Sequence, residues 1–166
     1  MREKSRKMAL GGMLAALALV ITCMGGLIPV ATYVCPMLCA LLLQTVLVLC
    51  GQRVAWCWYA VVSVLAVLMG PDKEAALVFV FLGYYPIVKP KLDPKRVKWL
   101  WKLLLFNTMT AAAYGVLIHV FGMAQLAAEL QELGAVLAAV MLVLGNVTFI
   151  LLDMLLDKGI RLVRRK

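Results

Sequence analysis

Six apolar segments can be drawn along this chain, and the cations fall almost entirely in alternate gaps between them. The segments cover residues 8–29, 34–50, 54–69, 75–88, 100–121 and 135–156. Arg2, Lys4, Arg6 and Lys7 precede the first, and Arg53 lies in the turn between the second and third. Lys89, Lys91, Lys95, Arg96, Lys98 and Lys102 occupy the fourth-to-fifth connection and the start of the fifth segment. Lys158, Arg161, Arg164, Arg165 and Lys166 follow the last. Of the 17 Lys and Arg residues, only Lys73 falls in the other three gaps. Cations are retained on the cytoplasmic side of a bilayer, so the pattern predicts an even number of spans with both termini in the cytoplasm. The expected fold is all-α: a polytopic membrane protein, one domain over residues 1–166, with six transmembrane helices.

Composition agrees. With 65% apolar residues and a mean hydropathy of +1.00, the chain is too apolar for a soluble domain of 166 residues. The net charge of +9 sits at helix ends, where it sets orientation and attracts anionic lipid headgroups. No nucleic-acid role follows from it. Six spans use nearly the whole chain, leaving no room for a soluble catalytic domain, and no phosphate-binding glycine loop of the ATPase type is present. The basic N-terminus followed by Met8, Ala9 and Leu10 imitates a secretory signal, but the apolar stretch is long and lacks a convincing cleavage site. It reads as a retained first helix. Cys23, Cys35, Cys39, Cys50 and Cys57 lie in or beside apolar segments and read as small buried side chains. His119 is the single histidine, so no metal site, cofactor or catalytic constellation is expected.

The fourth segment is short. Its residues 75–88 rise roughly 21 Å, below the ~30 Å of a hydrocarbon core. That shortness sinks Asp72, Lys73 and Glu74 towards the protein centre or makes the segment partly re-entrant, and interrupted helices point to binding sites in transporters. Capping of a helix start is the competing role for Pro71 and the acids. Residues 89–96, with two prolines and alternating charge, read as an extended cytoplasmic loop. The fifth segment carries a polar face of Asn107, Thr110, Tyr114 and His119. Between Gly122 and Gly134, Leu126, Leu130 and Leu133 align with Glu129 and Glu132 off that face, predicting an external amphipathic helix. Gln44 needs a mid-membrane hydrogen-bond partner, and Trp56, Trp58 and Tyr59 suggest an interfacial belt. Asp153 lies at about the depth of Lys102 and Asn107, which offers it a structural partner there, with ion or proton coupling as the other role.

The first segment carries small residues at helical spacing, Gly11, Gly12, Ala15 and Ala16, which let another helix approach closely. With six short helices and both ends inside, this layout resembles the substrate-binding S-components of energy-coupling factor transporters. It is also similar to small bacterial membrane proteins carrying Pro71, Asp72, Lys73, Glu74 and Ala75, followed by Gly83, Tyr84, Tyr85, Pro86, Ile87, Val88 and Lys89. The resemblance implies a location in the cytoplasmic (inner) membrane. It also implies uptake of a vitamin- or micronutrient-type solute, energised by a transmembrane coupling subunit with ATPases. Gly11, Gly12, Ala15 and Ala16 would then form the docking face, and Asp72, Lys73, Glu74, His119 and Asn146 would lie near the solute. The alternative is a structural or assembly subunit of a membrane complex, its polar residues serving as glue between helices.

Overall fold

The computed structural model describes residues 2–25, 31–92, 98–120, 122 and 134–164. The expected amphipathic helix around Leu126, Leu130 and Leu133 lies outside these residues. Among the described residues every regular element is helical: α1 (Arg2–Gly25), α2 (Ala31–Cys50), α3 (Gln52–Met69), α4 (Lys73–Leu82), α5 (Tyr85–Leu92), α6 (Lys98–His119) and α7 (Gly134–Arg164). Stretches Ser5–Met24, Gln52–Met69 and Trp99–His119 are long and apolar enough to cross a membrane, and Val34–Cys50 is a shorter apolar helix. The chain is therefore a helical membrane protein.

Small side chains set the packing of the first three helices. Ala18 of α1 is fully buried, so the α2 backbone side can come close enough for the Cys39 thiol to donate to the Ala18 carbonyl at 3.6 Å. Thr22 folds back on the same carbonyl at 2.9 Å. The α2–α3 hairpin turns on a single residue, Gly51, at φ 92°. That left-handed conformation carries a steric penalty for any side chain, and glycine avoids it. Helix α2 begins at Ala31, three residues before the second apolar segment, and Pro36 falls inside the helix.

Trp58 does not join the interfacial belt. It is buried in the core with Leu43, Val46, Ala55, Val62 and Phe79, and its indole N–H donates to the Gly11 carbonyl at 3.1 Å. A buried indole needs such an acceptor, and the Gly11 carbonyl lies within reach. Trp56 is exposed, as a belt residue would be.

The expected fourth segment is broken. Helix α4 ends at Leu82, Gly83 and Tyr84 turn, and α5 begins at Tyr85. Gly83 donates to the Phe79 carbonyl at 2.7 Å. A Cβ on Gly83 would stand 2.4 Å from that oxygen and 2.6 Å from the Phe79 ring, so the break is shaped for glycine. Helix α5 also corrects the loop expected over 89–96. Residues 89–92 are helical, and Lys89 is 2% exposed. Pro86 sits in the first turn, where a missing N–H costs little, and Pro90 removes only one intrahelical bond. A second core joins Tyr85 and Leu92 of α5 to Phe149, Leu152 and Leu156 of α7. Phe106 of α6 stacks on Phe149 at 4.7 Å, and Tyr85 meets the same ring edge-on at 4.8 Å.

Candidate functional site

Two polar groups of different character lie in this bundle. The first holds Asp72, Lys73 and Glu74, three of the five residues that the resemblance places near a solute. Asp72 caps α4: its carboxylate accepts from the Ala75 N–H at 3.1 Å, satisfying one donor that a helix start leaves open. Lys73 turns back on the preceding helix. Its ammonium donates to the Val67 carbonyl at 2.8 Å and to the Gly70 carbonyl at 3.0 Å, where a cation also meets the negative end of the α3 dipole. Glu74 reaches across to α6 and accepts from the Tyr114 hydroxyl at 2.8 Å. All three are half-buried.

The remaining two members lie apart. Asn146 pairs with Asn107, each amide donating to the other at 3.2 Å. His119 is exposed, and its ring contacts the Gly115 carbonyl of its own helix at 3.0 Å. Along α6, Asn107 and His119 are separated by about 18 Å of helical rise, with Tyr114 between them. Asp72, Lys73 and Glu74 are thus contiguous and linked to α6, whereas Asn146 and His119 attach to other levels of that helix. On the polar face of α6, the Thr110 hydroxyl is buried and unpaired.

The second group is a charged node that sequence reasoning caught in part. Asp153 of α7 is 2% exposed and receives three side-chain donors. Lys102 of α6 approaches at 3.0 and 3.2 Å, Lys89 of α5 at 2.7 Å, and the Tyr85 hydroxyl of α5 at 2.5 Å. Lys89 also donates to the Asp153 carbonyl at 2.6 Å and pairs with Asp157 at 2.8 Å. Lys102 and Tyr85 are buried as well, whereas the Asp157 side chain is 45% exposed. On the same stretch of α7, the Gln44 amide of α2 donates to the Leu156 carbonyl at 2.5 Å, leaving its own carbonyl oxygen buried and unpaired. The Lys102–Asp153 pair matches the depth argument from sequence. Lys89 and Tyr85 were missed because their segment was read as a loop and a helix end. Two cations and two carboxylates balance in formal charge, which is what makes burial of the group tolerable.

The small residues of α1 divide between two faces. Gly11 is buried against Trp58 and Ala15 packs on the core, while Gly12 and Ala16 are exposed. Among the described residues no group of three or more His, Cys, Asp or Glu side chains is placed to hold a metal ion. No family model, curated protein or solved structure matches the chain.

Proposed function

We propose that the protein is a membrane-embedded binding subunit for a small solute, acting with a separate coupling subunit and ATPases. In this reading it has six spans in the cytoplasmic membrane and both termini inside, and takes its solute from the outer face. The observation that carries the proposal is the interrupted fourth element. Two helices of 10 and 8 residues, broken at Gly83 and Tyr84, stand where a spanning helix would be continuous. Broken helices within a bundle are tolerated where they line a site, because their free ends present backbone dipoles to a ligand. Because the break leaves α4 only 10 residues long, its far end, with Asp72, Lys73 and Glu74, lies below the outer surface and is the end assigned to the solute, and Gly12 and Ala16 supply the exposed part of the docking face.

The test is mass spectrometry of small molecules retained through detergent purification, followed by thermal shift with any compound identified. A specific co-purifying compound that raises the unfolding temperature supports the proposal. Its absence, together with a stoichiometric protein partner lacking an ATPase, favours an assembly subunit instead. The bonding of Asp72, Lys73 and Glu74 within the bundle favours that second reading, since each has a structural task without a ligand.

A further inference from the structure

The geometry points to Lys89 as a lock that holds α5 on α7, so that α5 opens from the bundle as one unit instead of fraying residue by residue. Three observations combine. Helix α5 has 8 residues and an internal proline, too short to be stable by its own hydrogen bonds, so its position depends on what it touches. Its charged attachment to α7 is made by one side chain: the Lys89 ammonium meets the Asp153 carboxylate, the Asp153 carbonyl and the Asp157 carboxylate, all within 2.8 Å, beside the neutral Tyr85 hydroxyl on Asp153. The break at Gly83 and Tyr84 separates α5 from α4, so movement of one is not transmitted rigidly to the other.

Charge makes the seam two-state. A partial separation would strand Lys89 and Asp153 out of contact while both remain buried, which is far more costly than either the closed pair or two fully hydrated ions. Intermediate positions are therefore unfavourable, and α5 occupies the closed arrangement or an open one in which water reaches both groups. Asp157 is the part of the lock already half in water, and its pairing with Lys89 biases the equilibrium towards closure. The other side chains on Asp153, Lys102 of α6 and Tyr85 of α5 itself, remain bound to it when the Asp157 arm is lost. This inference does not depend on the transport reading.

Hydrogen–deuterium exchange on the whole protein in lipid nanodiscs tests it. In the wild type, the amides of residues 85–92, Pro86 and Pro90 excepted because they have none, are expected to exchange with a common protection factor. Asp157→Asn removes the surface arm and should accelerate that block together, roughly threefold, leaving α1–α3 unchanged. Lys89→Met with Lys102→Met and Asp153→Leu replaces the buried charges by apolar groups and should slow the block relative to wild type. Graded exchange along 85–92, or a block unaffected by Asp157→Asn, overturns the lock. Should the triple variant fail to fold, Asp157→Asn alone decides the matter, because its side chain is half-exposed and its loss leaves the core intact.

Discussion

Asn107 and Asn146 exchange hydrogen bonds in both directions, 3.2 Å each way, so that one residue from α6 and one from α7 saturate each other. Each amide also donates to a carbonyl of its own helix, Leu103 for Asn107 and Leu142 for Asn146. Replacing one by leucine leaves the other with that local bond, which cushions the loss. Asn107→Leu or Asn146→Leu should each lower stability by about 0.5–1 kcal/mol, with the double variant no worse than the worse single one. A double-mutant cycle of unfolding in mixed detergent micelles measures the coupling, and strict additivity would show that the pair contributes nothing.

Removing Asp153 has a harsher outcome. Asp153→Ala strands Lys89 and Lys102 beside each other in a buried site, and a loss of about 3–5 kcal/mol is expected. Yield of monodisperse protein and its thermal midpoint in detergent report this directly. A variant as stable as wild type would mean that water already reaches the node.

At the break in the fourth element, Gly83→Ala should destabilise by about 1–3 kcal/mol, since the added methyl meets both the Phe79 carbonyl and its ring. Shortening the ring with Phe79→Leu relieves one of the two clashes but empties space in the first core, where Phe79 is buried. The paired variant should therefore recover only part of the expected loss, as read by thermal unfolding.

The two faces of α1 give opposite expectations for the same chemistry. Gly12→Trp and Ala16→Trp add bulk to an exposed face and should leave the isolated protein's melting temperature within a few degrees of wild type. Under the proposed function they should block capture of a coupling subunit. Ala15→Trp intrudes on the core cluster and should unfold the protein with no partner present. Equal melting losses for Ala15→Trp and Ala16→Trp would remove the outward face from consideration as a docking surface.

Asp72→Ala removes a helix cap and should cost about 0.5–2 kcal/mol in thermal unfolding. Glu74→Gln, which keeps an acceptor for Tyr114, should be nearly neutral. A ligand role for this end would show as lost solute binding by Glu74→Gln at unchanged stability. Cysteine labelling completes the picture: Lys91 and Arg165 are expected inside, Glu74 and Glu129 outside.

Hydrophobic patterning made the apolar helices legible because burial in lipid demands long apolar runs, and α1, α3 and α6 follow those runs closely. Depth counting along two helices also put Lys102 and Asn107 level with Asp153, and Lys102 is the one that pairs with it, while Asn107 pairs with Asn146. The α5 helix escaped because Pro90 and Pro94 locally favour an extended chain, and tertiary partners in both cores offset that preference. Trp58 escaped for a related reason: whether an aromatic faces lipid headgroups or a neighbouring carbonyl depends on helix rotation, which the Gly11 contact sets. The caps made by Asp72 and Lys73 were partly foreseeable, since an acid beside a proline before an apolar run marks a helix start. That Lys73 reaches backwards to α3 was not, because it depends on the tightness of the turn at Gly70.

Helix α7 runs for 31 residues, a rise of about 46 Å, half as long again as a ~30 Å hydrocarbon layer. As one of the six proposed spans, a rod of that length leans or protrudes, and its lean follows membrane thickness. Asp153 and Asp157 ride on this rod while Lys89 sits on a separate short helix. Under that reading and the proposed lock, thinning or thickening the bilayer is expected to pull on the contact between them, giving lipid chain length a mechanical grip on the closure of α5.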